Sequence, residues 1–116
     1  MDEGGKMVTS DDNGKTIKMA DGDTIFVRLN ENSTTGYRWD FDNLDEKMVQ
    51  VERASYERAS EAVGSGGEAT WSVKPQTSGT AKMRMKLWRQ WEGEQSVVET
   101  FAFTLKVEPK RKSKVE

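Results

Sequence analysis

Apolar and polar residues alternate with a period of two through most of this 116-residue chain. That period constrains the fold strongly, because successive side chains point to opposite faces of a strand but recur every 3.6 residues on a helix. Ile25, Val27 and Leu29 alternate with polar partners, as do Tyr37, Trp39 and Phe41, and then Val49 and Val51. Ala69, Trp71 and Val73 follow, then Ala81, Met83, Met85 and Leu87, and finally Phe101, Phe103, Leu105 and Val107. Six strands result. Ile17 and Met19, after the turn signal Asp11-Asp12-Asn13-Gly14, predict a seventh, and residues 7–9 are expected to pair ahead of it. Polar clusters at residues 20–23, 30–36, 43–46, 64–67, 75–79 and 92–94 separate the strands. Many short alternating strands joined by polar turns predict an all-β fold, an antiparallel sandwich of about seven or eight strands with one face of each strand inward. Residues 44–62 are ambiguous, since Glu52, Arg53, Glu57, Arg58 and Glu61 could also decorate a helix; strand is favoured for the first half. Neither Pro75 nor Pro109 falls mid-strand, where proline would remove a ladder hydrogen bond.

The length fits one domain, residues 1–116, with a folded body at 6–108 and a basic tail at 109–116. Leu, Ile, Val and Phe together make only 20 residues, a level that raises disorder, but the net charge of −2 and the four Trp, four Phe, two Tyr and six Met argue for a packed core. Cysteine is absent, which excludes disulfides, thiolate zinc sites and thiol nucleophiles. Histidine is absent as well, so the commonest general base and transition-metal ligand is missing, and an enzyme would need a Ser/Lys pair, paired carboxylates or a hard cation. The start, Met1-Asp2-Glu3-Gly4-Gly5-Lys6, has no signal-peptide pattern, and no apolar run reaches a membrane span, so a soluble protein is expected, cytoplasmic or the mature form of an exported one. Residues 110–116 carry +3 and the remainder −5. The run Lys110-Arg111-Lys112-Ser113-Lys114 reads as solvated chain end ahead of a localisation signal or polyanion-binding arm.

Asp21-x-Asp23 and Asp40-x-Asp42 resemble acidic pairs for calcium, yet neither is followed by the Gly and distal Glu of a calcium loop, so turn and strand-end roles are expected. Gly64-Ser65-Gly66-Gly67 lacks the Lys-Ser/Thr of a phosphate loop, Glu68-Ala69-Thr70 following instead. It is either a flexible hairpin or a loop whose backbone approaches another surface closely. Lys82, Arg84 and Lys86, with Trp88 and Trp91 beyond, could form a platform for single-stranded nucleic acid. The acidic body opposes polyanions, so these cations are expected on the wet side of a strand and no nucleic-acid partner is expected. Trp91 lies past the last alternating position, beside Arg89 and Gln90, and an exposed Trp is a candidate anchor in a partner's pocket. Residues 32–36 are uncharged and small in a chain that is 33% charged.

Three of these segments together resemble the chagasin-type inhibitors of papain-like cysteine peptidases, an immunoglobulin-like sandwich with Asn-Pro-Thr-Thr-Gly-Tyr, Gly-x-Gly-Gly and Arg-Pro-Trp on three loops. Here Asn32-Ser33-Thr34-Thr35-Gly36-Tyr37, Gly64-Ser65-Gly66-Gly67 and Arg89-Gln90-Trp91 occur in that order. The resemblance covers residues 6–108 and implies a reversible, tight-binding inhibitor with no catalytic residue, metal or cofactor, monomeric when free. It implies that residues 32–36 enter the peptidase cleft with Thr34 and Thr35 beside the catalytic Cys–His pair, residues 64–67 lie along the non-primed wall, and Arg89 and Trp91 grip the primed side. An immunoglobulin-like binding module without peptidase inhibition is the alternative. Ser33 and Gln90 replace the family's prolines and remove a source of loop rigidity. Ser33 also creates Asn32-Ser33-Thr34, an N-glycosylation acceptor pattern. A glycan there would block the wedge, so the functional form is expected to carry none.

Overall fold

The computed structural model describes residues 5–42, 44–58 and 66–109. Eight strands form: β1 (Gly5–Val8), β2 (Thr16–Ala20), β3 (Thr24–Glu31), β4 (Arg38–Phe41), β5 (Val49–Arg58), β6 (Gly67–Pro75), β7 (Gly79–Trp88) and β8 (Glu99–Glu108). They make two four-stranded sheets, ordered β1-β3-β6-β5 and β2-β8-β7-β4. The helical segments among the described residues are 3-10 turns of three residues each.

The alternating positions become the core. Ile25, Val27 and Leu29 from β3 and Ala69, Trp71 and Val73 from β6 face Ala81, Met83 and Met85 from β7 and Phe101, Phe103, Leu105 and Val107 from β8, all buried. Two large aromatics fill what the few aliphatics leave open: Trp39 and Trp71 are each 4% exposed. Phe41 meets Trp71 edge-on with ring centroids 6.3 Å apart, and Phe101 tilts against Phe103 at 5.5 Å. Each fully buried side chain of this size stabilises the fold by about 1.5–3 kcal/mol.

The structure corrects several of the sequence expectations. The sandwich is not wholly antiparallel, since β1 runs parallel to β3 and β2 parallel to β8, both as edge pairs. The first strand lies at Gly5–Val8, not residues 7–9, and pairs with β3 instead of with β2. Thr9 ends it: its side chain accepts from the Asp11 amide at 3.3 Å while the Asp12 carboxylate accepts from the Thr9 amide at 3.0 Å, a capping box that starts a 3-10 turn. β5 extends beyond the first half of 44–62, to Arg58. The pairing register shifts between Arg53 and Ser55, a β-bulge that places Arg53 opposite Trp71 and Tyr56 opposite Ala69, so the alternation breaks and the sequence mimics helix. Finally, Lys82 and Arg84 are exposed as expected but Lys86 is 8% exposed. Its ammonium pairs with Glu94 and, at 3.9 Å, with Asp42, and sits 3.6 Å from the Trp88 ring centroid.

Aspartates at turns and strand ends behave as the pattern predicts. Asp23 accepts from the Ala20 amide at 3.0 Å, closing the β2–β3 turn. Asp40, on β4, accepts from the Trp88 indole N–H at 2.7 Å and so ties β4 to β7.

Candidate functional site

Strand register brings the three singled-out segments to one end of the sandwich. In one sheet Glu31, the last residue of β3, pairs with Gly67, the first of β6, and Gly67 also pairs with Arg58, the last of β5. In the other, Arg38, the first of β4, pairs with Trp88, the last of β7, and Leu87 pairs with Glu99, the first of β8. The connections 32–37, 59–66 and 89–98, here loops 1, 2 and 3, therefore leave the same edge. Gly64 and Ser65 lie outside the described residues, as does the tail beyond Pro109.

Loop 1 is ordered by its own hydroxyls and amides. The Asn32 side-chain oxygen accepts from the Thr34 amide at 3.1 Å and from the Thr34 hydroxyl at 2.7 Å. The Asn32 carbonyl accepts from the Thr35 hydroxyl at 2.7 Å and the Thr35 amide at 3.1 Å, closing a 3-10 turn over Ser33–Thr35. Short polar side chains folded back on their own backbone hold a turn much as a proline would. Gly36 follows at φ +84°, a conformation that other residues adopt at a cost, and it permits the reversal into Tyr37. Tyr37 was expected inside a strand but precedes β4 and stands at the loop's root.

Loop 3 is two successive 3-10 turns, Gln90–Glu92 and Glu94–Ser96, hinged at Gly93. Ser96 closes it. This residue is 7% exposed; its hydroxyl oxygen accepts from the Arg89 amide at 3.0 Å and lies 3.0 Å from the Arg89 carbonyl and 2.7 Å from the Gly93 carbonyl. Glu94, through Lys86, fastens the same loop to β7.

Loops 1 and 3 lock together through Arg89. Its Nε and Nη2 donate to the Thr35 carbonyl at 3.2 and 3.0 Å, its guanidinium carbon lies 4.4 Å from the Tyr37 ring centroid, and Nη1 reaches Glu92 at 3.3 Å. Trp91 then packs over Gly36, where a Cβ would come within 3.0 Å of the indole, while the rest of the ring stays in solvent, 70% exposed. On the other flank Gly66, at φ +81°, sits against Asn32, with 3.7 Å between a built Cβ and the Asn32 Cβ. A hollow of about 690 Å³ separates loop 1 from the root of loop 2, bounded by Asn32, Thr35 and Tyr37 on one side and Gly66, Gly67 and Glu68 on the other.

Thus Asn32, Thr34, Thr35, Gly36, Tyr37, Gly66, Gly67, Arg89, Gln90 and Trp91 share one face, with the Ser33 backbone in the loop 1 turn. Sequence reading missed the contacts of Ser96, Lys86, Glu31 and Arg53, which lie behind that face. Only Glu31 carried a signal: it continues the inward alternation Ile25, Val27, Leu29, and a charged residue at an inward position must have a partner.

A rigid sandwich that offers at one end an internally braced, uncharged tip and a projecting indole is a binding protein that works by shape. The chain belongs to the chagasin family of peptidase inhibitors: the family model described as Chagasin family peptidase inhibitor I42 matches residues 18–107. It is an inhibitor and not an enzyme. Among curated proteins it is similar to chagasin of Trypanosoma cruzi, 31% identical over 104 residues, which span 85% of this chain and 94% of that protein. Among solved structures it resembles the cysteine protease inhibitor EhICP2 from Entamoeba histolytica, with TM-score 0.80 and 19% identity over 90% of this chain and 96% of that one. It also resembles PbICP-C, solved in complex with falcipain-2, with TM-score 0.67 and 13% identity over 89% of this chain and 99% of that one. At those identities the structural likeness speaks for the fold, an immunoglobulin-like β-sandwich.

Proposed function

We propose that this chain inhibits papain-like cysteine peptidases reversibly and tightly, by seating loops 1, 2 and 3 in the active-site cleft. The observation that carries the reading is the Arg89 bridge, because it makes the tip of loop 1 and the indole of loop 3 a single preformed surface. Preformed loops lose little entropy on binding, so more of the contact energy appears as affinity.

The residues divide the work by their chemistry. Thr34 and Thr35 enter the narrow cleft, where small uncharged groups lose little solvation. Thr35 is β-branched and stiff at χ1, and its hydroxyl is already bonded to the Asn32 carbonyl, so the tip keeps one shape in the groove. The Thr35 carbonyl, held by Arg89, is turned back into the inhibitor and kept from nucleophilic attack. Gly66 and Gly67 allow backbone-to-backbone approach on the non-primed side, and Gly64 and Ser65 extend that contact. Trp91 brings about 150–250 Å² of mostly apolar area to the primed side. Occlusion needs no group that titrates or reacts, in keeping with a chain that has neither His nor Cys.

Titration against active-site-quantified papain tests this. Activity should fall linearly to zero at one inhibitor per enzyme, and the complex should not form once the catalytic cleft is blocked. Full papain activity at micromolar inhibitor would overturn the reading.

A further inference from the structure

We propose that the ion pair between the buried Glu31 and the partly exposed Arg53 is a positioning device that couples loop 1 to the strand feeding loop 2, and that its main effect is on the shape of the inhibitory face. This rests on the loop reading above. Glu31 is the last residue of β3 and its side chain is wholly buried. One carboxylate oxygen accepts from the Trp39 amide at 3.0 Å. Trp39 belongs to β4, in the opposite sheet, so a single carboxylate ties the entry of loop 1 to its exit. The Trp39 indole N–H returns the link by donating to the Asn30 carbonyl at 2.8 Å.

The second carboxylate oxygen accepts from Arg53 Nη2 at 2.7 Å, and the Glu31 carbonyl accepts from the Tyr56 hydroxyl at 2.9 Å. Arg53 and Tyr56 both belong to β5, whose last residue, Arg58, is the root of loop 2. The bulge between Arg53 and Ser55 brings both side chains to the same inner face, and the Arg53 guanidinium carbon lies 5.4 Å from the Trp71 ring centroid and 5.9 Å from that of Tyr56. Gly66, the last residue of loop 2, lies against Asn32, the neighbour of Glu31. β3 and β5 thus meet at Glu31 across β6, beside the hollow that Glu31 and Glu57 both line.

Energetics separates a positioning role from a stabilising one. Burying the Glu31 carboxylate costs hydration that the attraction of Arg53, itself one-third exposed, roughly returns, so exchange for a neutral pair of similar volume is expected to change stability little. What the neutral pair loses is direction, because the planar guanidinium donates to the Glu31 carboxylate along a fixed N–H direction. The double variant Glu31→Gln/Arg53→Met keeps an acceptor for the Trp39 amide and removes the pair.

The experiment compares parent, the double variant and Arg53→Lys in three readouts: thermal midpoint, dissociation rate from papain, and amide hydrogen exchange of the free protein. The double variant should melt within about 4 °C of the parent and dissociate about tenfold faster. Amides of Thr34, Thr35, Gly36 and Gly66 should exchange faster while those of Trp71 and Leu105 do not change. Arg53→Lys, which keeps the charge without the fork, should fall between the two in dissociation rate. Dissociation at the parent's rate overturns the proposal, and so does a loss of affinity matched by lost protection in Trp71 and Leu105, which would make the pair a plain stability element. Should the double variant fail to fold, Arg53→Lys decides alone by the same criteria. If the parent itself leaves papain active, the loop reading fails, while the exchange comparison in the free protein still decides the coupling.

Discussion

The guanidinium of Arg89 lies over Tyr37, 4.4 Å from the ring centroid, and from there holds the carbonyl of Thr35, 54 residues away in sequence. Lysine cannot reproduce that arrangement, having no planar face to stack and no fork to donate twice. Arg89→Lys should therefore weaken papain inhibition about tenfold, with a thermal midpoint within about 4 °C of the parent's. Inhibition constants and melting curves measured side by side check it.

Trp91 is a large apolar side chain left 70% exposed, with its indole edge over Gly36. Trp91→Ala should leave stability unchanged and cost roughly 2 kcal/mol or more of binding. A variant that titrates papain as tightly as the parent would remove this residue from the site.

Gly36 stands under that indole. Gly36→Ala forces a Cβ into 3.0 Å contact with Trp91 and places a side chain at φ +84°. The backbone strain alone should destabilise by about 1–2 kcal/mol, and the displaced indole should speed dissociation further. Trp91 fluorescence in a background with the other three Trp replaced by Phe would report the displacement directly.

Ser96 is buried, and its hydroxyl closes loop 3 around Arg89. Ser96→Ala leaves the part-buried Arg89 amide without its acceptor and should destabilise by about 1 kcal/mol. Faster exchange of the Arg89 amide, with a lower melting temperature, is the expected pair of observations.

Asn32 already spends its side-chain oxygen on Thr34 and lies against Gly66. A glycan on Asn32 would stand between both loops and a peptidase. In a host that glycosylates the chain, lectin-retained protein should leave papain active while the unretained fraction inhibits stoichiometrically, with intact mass distinguishing the two. Full inhibition by the hexose-bearing fraction would sink this prediction.

The sequence by itself determined the strands, the core and the candidate loops. Period-two alternation is a local code, and it marked every buried position from Ile25 to Leu29 and from Phe101 to Val107 without reference to the rest of the chain. The order of the motifs around Thr34, Gly66 and Trp91 was equally legible, since a motif is read within a few residues. Where the alternation stopped, so did the reading: the bulge after Arg53 put two residues against one on β6 and made the end of β5 resemble helix.

Only the tertiary structure decided that β1 and β2 pair in parallel with their neighbours, that Lys86 is buried and paired with Glu94, that Arg53 reaches Glu31, and that the Ser96 hydroxyl closes loop 3. These are contacts between residues distant in sequence, or between two loops, and they depend on which sheet a strand joins and at which register. A charged or hydroxylated residue looks the same in a sequence whether water or a neighbour 22 residues away satisfies it; burial makes the difference, and burial belongs to the assembled sandwich.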